Sequence, residues 1–123
     1  MSKLLHTQLS NQVLGLAFSV HNILGPGLLE SCYEGSMVVE LKRAGIPYSQ
    51  QQVFPLYYKG ELVGGYIADL VVDGKIILEL KSVQTMHEVM EAQLLNYLRL
   101  SKIRVGYLMN FNATRLQYKR FVV

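Results

Sequence analysis

Three charged residues interrupt two otherwise apolar segments, and their types and spacing suit metal-dependent chemistry. They are Asp69, Glu79 and Lys81, in a stretch from 67 to 81 that is apolar except for these residues and the turn at 73–75. Charged side chains rarely lie in buried strands unless they are paired or bind a metal. Two adjacent carboxylates repel each other unless a cation lies between them, and hard oxygen ligands favour Mg²⁺ or Mn²⁺. A surface salt bridge between Lys81 and the acids explains the spacing equally well.

The loop between the two segments decides whether these residues can meet. Glu79 and Lys81 are two positions apart, so they share one face of a strand. Asp69 joins that face only if the hairpin loop has an odd number of residues, such as three residues with Gly74 in the left-handed conformation. A two-residue loop would turn Asp69 to the opposite face. The odd loop also places one apolar set on the core side: Ala68, Leu70, Val72, Leu78 and Leu80.

Two helices are predicted before the strands. Thr7 is a plausible N-cap for the first, which ends at Gly25-Pro26-Gly27. Its apolar stripe consists of Leu9, Val13, Leu16, Ala17, Val20 and Leu24. The second helix is expected from about Glu30 to Arg43 and ends at Gly45 and Pro47. Its inward residues are expected to be Tyr33, Met37, Val38 and Leu41.

The remainder predicts five strands and one helix. Strands are expected over 53–58, over 62–72 with a bulge near Gly64-Gly65, and over 75–82. The helical period returns from His87 to about Ser101, and its inward residues are expected to be Met90, Leu94, Tyr97 and Leu98. Strands over 104–111 and 115–122 follow, the last at a sheet edge. The order ααβββαββ predicts one α/β or α+β domain over 1–123 with a mixed sheet.

Composition excludes several classes of protein. The chain has 123 residues, of which 50% are hydrophobic and 17% charged, so a disordered protein is excluded. No apolar run is long enough to span a bilayer, and the N-terminus lacks the pattern of a signal peptide. With Cys32 as the single cysteine, no internal disulfide can form, and we expect a cytoplasmic location. Cys32 itself, beside apolar residues, is expected in the core.

Charge is distributed unevenly along the chain. Residues 1–91 carry a net charge of −3 and residues 92–123 a net charge of +6. A basic segment beside an acidic site suits an enzyme that processes a polyanion, with bases on phosphates and acids on metal. A solvated helix face and an exposed tail explain the same pattern. The residues proposed for backbone phosphate contacts are Arg99, Lys102, Arg115, Lys119 and Arg120.

Four motifs in sequence resemble one known family. Asp69 followed by Glu79-Leu80-Lys81 is similar to the D…(D/E)xK signature of the PD-(D/E)XK nuclease superfamily. The segment 27–33 fits the GxxExxY motif of a family of small proteins in that superfamily. The segment 93–97 fits the QxxxY motif of RecB-like nucleases, and 106–112 resembles an apolar strand that ends in Asn-Phe. The resemblance covers about 9–122, and Ala68 replaces the proline before the first acid.

The resemblance implies a restriction-endonuclease-like core and a role for each motif residue. Asp69, Glu79 and the Leu80 carbonyl would bind Mg²⁺ or Mn²⁺, with Glu30 completing the site directly or through water. Lys81 would assist the attacking water. Gln93 and Tyr97 lie on one helix face and would touch both site and substrate. From the residues alone, Tyr97 could equally be a core residue, and Glu30 could merely complement the helix dipole.

The implied function is metal-dependent hydrolysis of phosphodiester bonds in DNA or RNA. The alternative is a non-catalytic module on the same fold that binds nucleic acid or a protein partner. An inactive descendant of a nuclease is expected to have lost one of the acids or the lysine. This chain has kept all of them. A homodimer or a partner protein would supply specificity. The histidines lack zinc-ligand spacing, and His21 is expected to be a capping or core residue rather than part of the site.

Overall fold

The predicted order ααβββαββ is confirmed in the computed structural model, which describes residues 5–123. The elements are α1 (Thr7–Leu24), α2 (Glu30–Ala44), β1 (Tyr48–Tyr58), β2 (Glu61–Val72), β3 (Ile76–Lys81), α3 (Glu88–Ser101), β4 (Val105–Asn110) and β5 (Gln117–Val122). Strand β1 begins five positions before the expected residue 53. The first residues of β1 are mostly polar and lack the alternation of apolar residues that predicts a strand. Tyr48, Ser49 and Gln50 nevertheless pair with the end of β2.

The five strands form one mixed sheet in the order β1-β2-β3-β4-β5. Strands β3 and β4 are parallel, and the other neighbouring pairs are antiparallel. Helix α3 connects the parallel pair, as such a crossover requires. The expected edge position of β5 is confirmed, and β1 forms the other edge. The expected bulge is also present, since the β1–β2 register shifts opposite Leu62–Gly64.

Helices cover both faces of the sheet. Helices α1 and α2 pack on one face over the larger core, and α3 packs on the other over a smaller one. Residues Ile76, Leu78 and Leu80 of β3 point to the larger core, whereas Ile77 points to α3. The inward residues expected for α2 and α3 are confirmed, with Met90 and Tyr97 partly buried. No helix within residues 5–123 has the length and apolar character needed to cross a bilayer.

Three local expectations about single residues were wrong. Ala68 packs with the α3 cluster and not with Leu70. Gln51, between the β1 residues that pair with Leu70 and Ala68, has φ 54°, so the β1–β2 pairing is irregular at this point. Thr7 is the first helical residue and not the N-cap. Cys32 is exposed, because the inward face of α2 is the adjacent stripe that begins at Tyr33.

The loop between β2 and β3 has the odd length that the site requires. Val72 pairs with Ile76, which leaves residues 73–75 in the loop. The Lys75 N–H donates to the Val72 carbonyl at 2.9 Å, and Gly74 has φ 64°. The expected three-residue loop with a left-handed Gly74 is therefore confirmed.

Gly74→Ala should destabilise the protein by about 1 kcal/mol, because a Cβ is unfavourable in the left-handed conformation. Gly64→Ala is the matched control, since Gly64 has an ordinary φ and open space at its Cβ position. Urea unfolding should show the loss for Gly74→Ala and little change for Gly64→Ala. If both variants lose the same free energy of unfolding, the loss in Gly74→Ala is not caused by the left-handed conformation of Gly74.

Candidate functional site

Asp69 and Glu79 lie side by side on the α3 face of the sheet. Leu70 pairs with Leu78, and the same register continued by one residue places Asp69 opposite Glu79. The Leu80 backbone N–H donates to Asp69 Oδ2 at 2.8 Å. The two carboxyl groups are close enough for the charge of Asp69 to raise the pKa of Glu79. The condition for a shared site, two carboxyl groups on one face, is therefore met.

The Glu79 carboxyl group is buried without full compensation. The residue is 9% exposed, and its Oε1 atom has no hydrogen-bond partner within the described part of the chain. Burial is the largest cause that raises the pKa of Glu79, to about 8, and the neighbouring Asp69 charge adds to it. Lys81 acts in the opposite direction. A cation between the carboxylates would supply the missing partner, so the pair fits a divalent metal ion.

Lys81 shares the face of Glu79 but is not engaged in an ion pair. It is half-buried at the end of β3, opposite Asn110 on β4. Within residues 5–123 the ion pairs are Lys75–Asp73 and Lys119–Glu91, so the alternative of a salt bridge between Lys81 and the acids is not realised. The Lys81 ammonium group is therefore available to a ligand beside Glu79.

Glu30 approaches the end of β3 from α2 but does not join the acidic pair. It is exposed, and its Oε2 accepts the Ser82 backbone N–H at 3.0 Å. The Ser82 hydroxyl in turn donates to the Leu28 carbonyl at 2.6 Å. Across residues 5–123 no group of three His, Cys, Asp or Glu side chains is close enough to hold one metal ion. Any contribution of Glu30 to a metal bound by the pair would pass through water.

The segment 27–33 comprises a turn and the first residues of α2. Gly27 has φ 97°, a conformation that favours glycine. The Tyr33 hydroxyl donates to the Gly25 carbonyl at 2.6 Å and accepts the Leu28 N–H at 3.2 Å. Its ring stacks on Phe111 at 4.6 Å between centroids. These contacts fix the position from which Glu30 reaches Ser82.

Helix α3 contributes Tyr97 to the surroundings of the acids, whereas Gln93 is exposed. The Tyr97 ring is half-buried and stacks on Tyr66, with centroids 3.5 Å apart and an angle of 8° between planes. Phe54 stacks on Tyr66 at 5.3 Å. Tyr97 is therefore a partly buried packing residue, which is the alternative that its position on the inward face of α3 allowed. Gln93, on the same helix face, would reach a ligand only from the solvent side.

Tyr66 is the residue that sequence reasoning missed. It is 6% exposed, and its hydroxyl has no hydrogen-bond partner within residues 5–123. Burial raises its pKa, and the charge of Glu79 raises it further. A tyrosine in an apolar strand is typical of a core, so no spacing signal pointed to it. The signal is tertiary: a buried phenol without a partner beside buried carboxylates.

Asn110 orders the loop that follows Lys81. Its Oδ1 accepts the Val83 N–H at 3.1 Å, and its Nδ2 donates to the Val83 carbonyl at 3.0 Å. His21 is buried on the other face, where Nε2 contacts the Ala113 carbonyl oxygen at 2.8 Å. The expectation that His21 is a capping or core residue outside the site is therefore confirmed.

A family model of the PD-(D/E)XK nuclease superfamily matches residues 7–121. The chain belongs to this superfamily. The match includes every helix and strand except the last residue of β5, and the mixed sheet flanked by helices is consistent with the restriction-endonuclease-like fold of the superfamily. Membership supports a nuclease-like function.

One solved structure gives independent support for the fold of this superfamily member. It is titled "Crystal structure of SSO0001" and has a TM-score of 0.59 at 15% sequence identity. The alignment covers 94% of this chain and 58% of that chain, so this chain spans only part of that protein's length. Among curated proteins, no match was found.

The raised pKa of Glu79 predicts a pH-dependent stability of the metal-free protein. Between pH 5 and 8 the folded state retains a proton that the unfolded state releases, so the free energy of unfolding should fall as pH rises. Glu79→Gln removes this titration and should flatten the decline. Urea unfolding in EDTA at both pH values measures the difference. Parallel pH profiles of wild type and variant would contradict the burial of this carboxyl group.

The aromatic stack predicts opposite effects of two substitutions. Tyr66→Phe removes a buried hydroxyl without a partner and should leave the melting temperature unchanged or raise it. Tyr97→Ala removes a stacked ring and should destabilise the protein by about 2 kcal/mol, whereas Tyr97→Phe should not. Thermal unfolding of the three variants measures both effects. A large loss in Tyr66→Phe would mean that its hydroxyl has a protein partner.

Proposed function

We propose that this protein is a metal-dependent nuclease that hydrolyses phosphodiester bonds in DNA or RNA, using Mg²⁺ or Mn²⁺. The observation that carries the proposal is the Glu79 carboxyl group, buried against Asp69 with one oxygen atom that has no partner among residues 5–123. A protein tolerates such an arrangement when a ligand compensates it, and perturbed carboxyl groups cluster at functional sites. Superfamily membership supports the same reading.

Each residue of the site has a distinct role in this proposal. Asp69 and Glu79 would hold the cation, with the Leu80 carbonyl as a further ligand and Glu30 acting through water. Such a cation, when bound, polarises the phosphate and lowers the pKa of a water molecule. Lys81 would offset negative charge that develops on the phosphate, because its ammonium group forms no ion pair with the part of the chain that the structure describes.

The outer residues of the site would act on the substrate. Tyr97, held by its stack on Tyr66, forms one wall of the site, and Gln93 reaches the substrate from the exposed face of α3. The turn 27–33, with its glycine, glutamate and tyrosine all engaged, supports placement in the GxxExxY family. A second copy of the chain or a partner protein would supply specificity.

Cleavage assays on labelled single- and double-stranded DNA and RNA with Mn²⁺ test the proposal. Asp69→Asn and Glu79→Gln should each lower cleavage at least about 100-fold, the scale of losing one essential electrostatic group. Asp73→Asn is the matched control, because Asp73 is an acid of the same hairpin that is paired with Lys75 away from the site. Mn²⁺ titration by calorimetry should show binding to wild type and Asp73→Asn only.

The outcomes separate the two functions that the fold can support. Cleavage that survives Glu79→Gln would reject the assigned site. Binding of nucleic acid without cleavage of any substrate would favour a non-catalytic module on this fold. The module has one structural argument in its favour, since only two acids meet in the described part of the chain.

A further inference from the structure

A groove on the α3 face of the sheet lies outside the acidic site. It has a volume of about 450 Å³ and lies between the start of α3 and strand β5. Its lining consists of Met86, Leu108, Leu116 and Tyr118 together with the polar residues Gln117, Lys119 and Glu91. The volume is within the range of small-molecule pockets, about 300–1,000 Å³. The groove is therefore large enough for one nucleotide unit.

The sheet register connects this groove to the acidic site. Glu79 pairs with Leu108, which pairs with Lys119 on β5. Lys81 pairs with Asn110, which pairs with Gln117. Residues directly opposite one another share a sheet face, and each strand adds about 4.8 Å, so Lys119 lies about 10 Å from Glu79. A chain molecule bound at Glu79 and Lys81 would extend into the groove.

The polar groups of the groove are oriented donors. The Gln117 Oε1 atom accepts a hydrogen bond from Asn110 Nδ2 at 3.2 Å, which leaves the Gln117 amide N–H groups for a ligand. The Lys119 ammonium group is 2.8 Å from Glu91 Oε1 and has further donors. Glu91 thus holds Lys119 at the groove wall and partly neutralises it.

An apolar floor with a cation and amide donors matches a nucleotide. A base has apolar faces and hydrogen-bonding edges, and its phosphate is an anion. Met86 and Leu108 suit the face of a base, Gln117 suits an acceptor on its edge, and Lys119 suits the phosphate. A purely apolar ligand would leave Gln117 and Lys119 without a role.

We propose that this groove is a nucleotide subsite, which binds one base and its phosphate in a substrate strand that passes over Glu79 and Lys81. The proposal rests on the proposed nuclease function for the identity of the strand. Lys119 and Gln117 are its binding residues, and Glu91 regulates its affinity by competing with the phosphate for Lys119.

Fluorescence anisotropy with fluorescein-labelled twelve-nucleotide oligo(dT) and oligo(U) in EDTA tests binding without catalysis. Lys119→Ala should weaken binding about 5- to 10-fold and reduce the salt slope of log K by about 0.7, the value for one phosphate on a single strand. Gln117→Ala should weaken it less. Glu91→Gln should tighten binding several-fold, because it frees Lys119 from its ion pair.

Lys75→Ala is the matched control. Lys75 is also an exposed lysine paired with an acid, Asp73, but it lies in the β2–β3 loop away from the groove. It should leave both affinity and salt slope unchanged. In cleavage assays, Lys119→Ala should raise KM and leave kcat near the wild-type value, because the groove binds the strand and does not contact the reacting atoms.

Failure of the subsite and failure of the nuclease function give different results. If Lys119→Ala and Lys75→Ala behave alike while Glu79→Gln abolishes cleavage, the subsite is rejected and the nuclease function is retained. If Lys119→Ala and Glu91→Gln shift binding in opposite directions but wild type cleaves nothing, the subsite is retained and the catalytic proposal fails. Absence of oligonucleotide binding by wild type would overturn the subsite.

Discussion

The burial of the Glu79 carboxyl group beside Asp69 is the constraint on which the candidate site depends. Two acids on neighbouring strands repel each other, and burial makes the charged form of Glu79 still less favourable. The Leu80 backbone N–H compensates Asp69 by donating a hydrogen bond to it. One oxygen atom of Glu79 has no partner among the described residues. Such an arrangement is costly in a purely structural core and suits a site that a cation completes.

The fold positions these acids through the division of the sheet into two faces. One face carries the larger core beneath α1 and α2, which requires apolar residues at alternate positions of β3. The other face carries α3 and a smaller core. The part of this face that the core leaves uncovered can hold several polar residues. Glu79 and Lys81 lie on this second face. The strand register places Lys119 of the edge strand β5 on the same face. The larger core and the candidate acidic site therefore lie on opposite faces of the sheet.

Hydrogen bonds between side chains and the backbone hold the C-terminal end of β3 in place. Glu30 and the Ser82 hydroxyl connect the start of α2 to the residue after Lys81. Asn110 then binds both backbone groups of Val83. These contacts restrict the segment that carries Lys81, and they explain why polar residues at the start of α2 and the end of β4 accompany the acidic hairpin.

The amino-acid sequence determined the element order, the inward faces of the helices and the odd hairpin loop, because these depend on local periodicity and turn residues. Asp69, Glu79 and Lys81 were recognised for the same reason, as charges that interrupt apolar strands. The local sequence pattern did not reveal the polar start of β1, the exposure of Cys32 or the packing of Ala68 with the α3 cluster. Strand pairing and the orientation of the helices decide these features.

Only the tertiary structure separated Glu30 from the acidic pair and brought Tyr66 beside it. Glu30 reaches the backbone of Ser82 instead, because the turn at 27–33 fixes where α2 begins. Tyr66 lies near Glu79 because β2 pairs with β3, and Tyr97 of α3, from a distant part of the chain, stacks on it. Contacts between residues far apart in sequence have no periodic signature, so spacing identifies the charges of the site but not their surroundings.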